Sequence, residues 1–187
     1  MKPLRIALFG LGRAGKFHLQ SIRLASDIKL AYVIDVDEVT ARTIAEENGC
    51  EWATDRATAL ADPNVDAVIV ATPTQTHHDY IIDSLEAGKA VFTEKPLGVG
   101  MEEIDACYRK AEERGLPLFL GFNRRFDPSF ADLAARVHSG EVGRLQLFRT
   151  TSRDSPLPTI DYIKTSHGIF HDCIVHDLDM VRFVTRE

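Results

Sequence analysis

Along the first 121 residues, short apolar runs alternate with amphipathic stretches. Runs near 4–9, 29–34, 66–71, 89–93 and 117–121 predict strands, and the intervening stretches near 14–25, 37–47, 76–87 and 101–114 carry the spacing of helices. Ala67-Val68-Ile69-Val70-Ala71 lacks the apolar/polar alternation of a sheet with one wet face, so these strands belong in a parallel sheet covered on both sides. Such a βαβ rhythm predicts a doubly wound α/β domain. A weaker strand at Glu51-Trp52-Ala53 brings the count to about six, the usual number for this layout. No internal repeat or low-complexity segment interrupts the pattern.

After Gly121 the pattern changes, which divides the chain into domains at 1–121 and 122–187. A helix is expected near 128–139, one strand near 144–151, a loop holding Pro156 and Pro158, and a helix from about 169 to 185. That last helix carries Ile169, Phe170, Cys173, Ile174, Val175, Leu178, Met180, Val181, Phe183 and Val184 around most of its circumference, so it needs a layer on each side. A lone strand cannot supply the second layer. The second domain is therefore expected to be an incomplete α+β unit, with part of this helix uncovered.

Composition narrows the partners. The 187 residues include 22 Lys+Arg against 28 Asp+Glu, for a net charge of −6, and no basic run is present. That balance argues against nucleic acid or an anionic membrane and favours a small molecule. With 44% hydrophobic residues the chain can build a core, and its length suggests one domain with an appendage. Cys50, Cys107 and Cys173 are odd in number and widely spaced, which suits buried thiols in a reducing compartment. Neither a secretory leader nor an apolar run of ~18 residues is visible, so a cytoplasmic protein is expected.

Candidate chemistry lies where strands end. Gly10-Leu11-Gly12-Arg13-Ala14-Gly15 has the GxGxxG spacing between the first strand and first helix, where glycines allow a tight turn and the helix N-terminus attracts a pyrophosphate. Asp35 follows at the end of the second strand, placed to accept from both ribose hydroxyls and repel a 2′-phosphate, which favours NAD over NADP. Thr72-Pro73-Thr74 follows the fourth strand, and His77 opens the next helix as either a ligand contact or part of a capped turn. Glu94-Lys95-Pro96 ends the fifth strand. Lys95 there could polarise an oxygen on a hydride-bearing carbon, or simply form an ion pair in a turn.

In the last helix, Asp172, His176 and Asp179 follow i, i+4, i+7 spacing and would share one polar stripe. Asp172 could orient His176, which would take a proton from a substrate hydroxyl; a helix-terminal acid and a core histidine are the plainer alternative. A metal site built from His167, His171, Asp172 and His176 is disfavoured, because His171 and His176 lie about 140° apart around a helix.

Together, Gly10–Gly15, Asp35, Glu94-Lys95-Pro96, Gly121-Phe122-Asn123-Arg124-Arg125-Phe126-Asp127 and Gly168-Ile169-Phe170-x-Asp172-x-x-x-His176-Asp177-x-Asp179 resemble the glucose-fructose oxidoreductase, inositol dehydrogenase and MocA family. Thr151-Ser152-Arg153-Asp154 and Asp161-Tyr162-Ile163-Lys164 resemble its inositol 2-dehydrogenase subgroup, although His167 stands where that subgroup usually has glycine. The resemblance covers the whole chain. It implies a Rossmann domain that binds NAD through Gly10, Gly12, Arg13, Ala14, Gly15, Asp35, Thr72, Thr74, His77 and Glu94. It further implies a catalytic set of Lys95, Asp172 and His176, and a substrate pocket that adds Asn123, Arg124 and Asp179 to Lys95. The implied activity is NAD-dependent oxidation of a ring hydroxyl of an inositol-like polyol to a ketone, in a homo-oligomer. Family members continue through a large antiparallel sheet that covers the catalytic helix, so a catalytically weak NAD-binding module is the competing reading.

Overall fold

The computed structural model describes residues 2–153, 155–166 and 168–186. The chain divides into two compact units, Met1–Gly121 and Phe122–Glu187.

In the first unit, β1 (Leu4–Phe9), β2 (Ile28–Ile34), β3 (Glu51–Ala53), β4 (Ala67–Val70), β5 (Ala90–Thr93) and β6 (Leu118–Leu120) form one sheet. Its order is β3-β2-β1-β4-β5-β6 and every pairing is parallel. The connections are α1 (Arg13–Leu24), α2 (Glu38–Asn48), α3 (Arg56–Ala61), α4 (Thr74–Glu86) and α5 (Met101–Arg114). The short α3 was not expected; Asp55 caps it by accepting from the Ala57 N–H at 2.9 Å.

Successive residues of β1 enter opposite cores, as a pleated strand covered on both faces requires. Ile6 and Leu8 pack with Leu19, Ile22, Ala41 and Ala45 of α1 and α2. Ala7 and Phe9 pack with Ala59, Ile81, Leu85, Cys107 and Ala111 of α3, α4 and α5. Burial pushes the Cys107 thiol up to about 12 and the Cys50 thiol up to about 11, so both are protonated at neutral pH.

In the second unit, α6 (Pro128–His138) packs on α8 (Val175–Thr185) through Ala134, Met180 and Val184, with Phe130, Val137, Phe148 and Phe183 around them. Asp127 caps α6 by accepting from Ser129 and Phe130, ahead of Pro128 at the start of the helix. A short α7 (Ile160–Thr165) precedes α8.

Two expectations need correction. The strand expected near 144–151 does not form, because no described segment pairs with these residues and a strand needs a partner for its main-chain groups. The single helix expected over 169–185 instead opens with a π-helical turn at Phe170–Ile174. The wider turn changes the angular step between Asp172 and the residues that follow it. Around these turns Ile169, Phe170 and Leu178 are exposed.

Ile81 is fully buried between α4 and the sheet, whereas Phe17 on α1 is largely exposed. Ile81→Ala is expected to lower the unfolding free energy by about 2–5 kcal/mol. Phe17→Ala should change it by no more than about 0.5 kcal/mol. Urea unfolding of the two variants checks the contrast.

Candidate functional site

The strand ends are level. Phe9 lies opposite Ile34 and Val70, Val70 opposite Thr93, and Thr93 opposite Leu120. The residues just beyond therefore share one edge of the sheet: Gly10, Asp35, Ala71-Thr72, Glu94-Lys95 and Gly121. The register of β2 shifts by one residue between its pairings with Ile6 and Ala7, and this shift sets Ile34 opposite Phe9.

Backbone packing dictates the glycines. Gly10 has φ +88° and a Cβ there would lie 2.6 Å from the Ala71 carbonyl oxygen, while a Cβ on Gly15 would overlap the Gly10 carbonyl oxygen. Gly12 faces open space and is the N-cap of α1, with no side chain across the helix end. Arg13 opens the helix on the exposed side and Ala14 turns toward the core beneath. Asp35 Oδ2 accepts from the Leu11 N–H at 2.8 Å and Oδ1 from the Asp37 N–H at 3.0 Å. Each carboxylate oxygen has a second lone pair, so Asp35 can brace the glycine turn and still accept from ribose hydroxyls. Together the open helix end, the Cβ-free cradle and this acceptor fit an adenine dinucleotide.

Thr72 and Thr74 flank the turn into α4, and Thr76 Oγ1 lies 2.8 Å from Pro73 O and 2.9 Å from Thr72 Oγ1. The His77 ring is buried between two loops, with Nδ1 2.7 Å from Pro96 O and Nε2 2.8 Å from Thr72 O. Glu94 is half-buried and its Oε1 lies 2.7 Å from His18 Nε2. Burial works to raise the Glu94 carboxyl, but the His18 hydrogen bond and charge, with the Lys95 N–H and ammonium, hold it below its ordinary value. Lys95 follows, also half-buried.

In the second unit, Asn123 is exposed at the start of a 3₁₀ turn over Asn123–Phe126. The following arginines pair with buried acids. Arg124 donates to Asp177 at 2.8 Å, and Thr150 and Ser152 each donate to the same carboxylate at 2.7 Å. Arg125 grips both oxygens of Asp179, at 2.9 and 3.1 Å from Nε. Arg124 and Asp179 are thus each engaged in an ion pair that holds α8, since a carboxylate this buried needs a cation. Asp172 lines a groove of about 680 Å³ with Thr150, Ser152, Leu157, Ile163 and Ile169. His176 stands edge-on to Phe122, 6.2 Å between ring centres. Among the described residues, no three His, Cys, Asp or Glu side chains converge as metal ligands; His167 lies outside them.

Sequence reasoning missed His18, Arg125 and Asp177. His18 was legible only as a polar residue on the sheet-facing side of α1, three after Gly15 and four before Ile22, and its partner lies 76 residues away.

A parallel sheet of this order, with a glycine turn after β1 and an acid after β2, defines the class of Rossmann dinucleotide-binding proteins. The chain belongs to the GFO/IDH/MocA oxidoreductase family: residues 4–122 match its NAD-binding Rossmann fold and residues 130–187 its C-terminal domain. It is similar to an inositol 2-dehydrogenase of Rhizobium meliloti, at 42% identity over 98% of this chain and 56% of the relative. It is equally similar to a scyllo-inositol 2-dehydrogenase (NAD(+)) of Bacillus subtilis, at 42% over 97% of this chain and 54% of the relative. Among solved structures, scyllo-inositol dehydrogenase from Lactobacillus casei with bound NAD(H) and scyllo-inositol superposes with TM-score 0.90 at 31% identity, covering 98% of this chain and 56% of that one. The chain spans about half the length of the relatives it matches.

Burial works to raise the Asp177 carboxyl, but hydrogen bonds from Ser152, Thr150 and Arg124 and the Arg124 charge hold it below its ordinary value. A carboxyl depressed in the folded state stabilises the fold above its unfolded pKa, and the gain fades as pH falls through the folded value. Asp177→Asn is therefore expected to flatten the loss of stability of the second unit below about pH 4. Arg125→Met, which leaves Asp179 unpaired, should cost about 1–3 kcal/mol at neutral pH. Urea unfolding monitored at several pH values tests both.

Proposed function

We propose that this chain carries the site of an NAD-dependent dehydrogenase that oxidises a ring CH–OH of an inositol-like polyol to a ketone. The observation that carries the reading is the level register of the strand ends, which sets the Gly10 turn, Asp35 and Glu94-Lys95 along one edge. The inositol dehydrogenases among the similar proteins support the substrate class.

In this reading the helix end at Gly12, with Arg13, Ala14 and Gly15, holds the pyrophosphate, and Asp35 accepts from the adenosine ribose. When bound, NAD supplies the hydride acceptor. Thr72, Thr74 and Glu94 border the cofactor where the sheet ends. The Lys95 ammonium donates to the reacting oxygen and stabilises the charge that develops there. His176 removes the hydroxyl proton, and Asp172 orients its imidazole and offsets the positive charge it gains. Asn123 contributes to polyol binding. The net charge of −6 suits a small neutral substrate, and the reading includes a cytoplasmic homo-oligomer.

Titration with both cofactors should show NAD bound at least about tenfold more tightly than NADP, because Asp35 faces the 2′-phosphate and neither Val36 nor Asp37 offsets it. Equal affinities would remove the role given to Asp35. In an assay of NADH formation with myo-inositol, His176→Ala is expected to lower kcat by about 10²–10⁴. Lys95→Ala should lower kcat far more than NAD affinity, with Asp172→Asn intermediate. NAD binding without turnover in the wild-type chain would leave only the binding role.

A further inference from the structure

The segment Glu94-Lys95-Pro96 is clamped on both sides by imidazoles that come from different helices. On one side His77 of α4 meets the Pro96 carbonyl at 2.7 Å. On the other, His18 of α1 reaches Glu94 Oε1 at 2.7 Å, with the two side chains only 18% and 29% exposed. The His18 ring is set edge-on against Phe92, 5.3 Å between centres, and Phe92 is stacked in turn on Phe119 at 5.6 Å. This aromatic stack leaves the imidazole little freedom to rotate, so its Nε2 points at the carboxylate before any ligand arrives.

We propose that His18 is a positioning residue for the dehydrogenase reaction: it fixes the Glu94 carboxylate in the orientation that receives NAD beside Lys95. The inference rests on the cofactor role proposed for Glu94. An ionised carboxylate only accepts, so His18 donates from Nε2. Without that bond the Glu94 carboxylate would keep only its contacts with Lys95 and gain rotamer freedom, and ordering it would fall to the cofactor at a cost in affinity. His18 lies on α1 three residues after Gly15, so the same helix that receives the pyrophosphate at its N-terminus also sets the group at the end of β5. Both ends of the cofactor are then referred to α1.

Calorimetric titration of NAD into the full chain tests this. His18→Phe keeps a ring against Phe92 but has no donor, and is expected to weaken NAD binding about tenfold, the usual worth of a hydrogen bond to a charged group. His18→Gln, whose amide nitrogen occupies the place of Nε2, should recover affinity to within about threefold of wild type, which a purely space-filling role would not predict. Because His18 acts through Glu94, adding His18→Phe to Glu94→Gln should cause no further loss. Wild-type affinity in His18→Phe, failure of the glutamine to restore binding, or additive losses in the pair would each overturn the positioning role. Nitrogen-15 NMR of the cofactor-free wild-type chain provides a check that needs no variant: His18 Nε2 should carry a proton near neutral pH, and an unprotonated Nε2 overturns the proposal. A wild-type chain that binds no NAD overturns the functional reading along with it, whereas wild-type binding with an undiminished His18→Phe variant overturns the positioning role alone.

Discussion

The main chain of Gly10 passes so close to the Ala71 carbonyl that a single added carbon would lie 2.6 Å from that oxygen. This approach joins the ends of β1 and β4, the two central strands, from which the sheet is wound in opposite directions. A ligand crevice at that point depends on the strands stopping at one level. The registers of β1 with β2 and β4 ensure that they do, and a side chain at Gly10 or Gly15 would force the turn away from its neighbours.

Polar groups then hold what the sheet has brought together. Asp35 ties the end of β2 to the glycine turn through the Leu11 N–H, and His77 ties the loop after β4 to that after β5. His18 ties α1 to the same β5 end. All three bonds join main chain or carboxylate groups that would otherwise be loop atoms with local freedom. Their shared effect is a rigid edge, and a rigid edge is what positions a two-part ligand without ordering the protein at each binding event.

The second unit solves a different problem. Its small apolar cluster of Ala134, Met180 and Val184 buries little surface, and α8 brings two carboxylates into the interior beside it. Arg124 and Arg125, adjacent in one 3₁₀ turn, neutralise Asp177 and Asp179 and so fix α8 to that turn. Asp172, ahead of these and inside the π-helical turn, lines the groove.

The sequence alone determined the first unit. The strands, the four longer helices, the parallel sheet, the glycine turn and Asp35 follow from local periodicity and from a motif whose parts lie within one βαβ unit, where chain spacing reports spatial spacing, whereas the six-residue α3 carried no such signal. It also carried the family, because Glu94-Lys95-Pro96 and the Asp172–Asp179 helix are local motifs. Only the tertiary structure decided which polar groups meet across long separations: His18 with Glu94, Arg124 with Asp177, Arg125 with Asp179, and His77 with the Pro96 carbonyl. Partner choice of this kind depends on burial and on distances set by the whole fold, which no local pattern records. The same holds for residues 144–151, whose strand-like pattern finds no partner, and for Phe170–Ile174, where a π-helical turn replaced the regular helix that apolar spacing alone suggested.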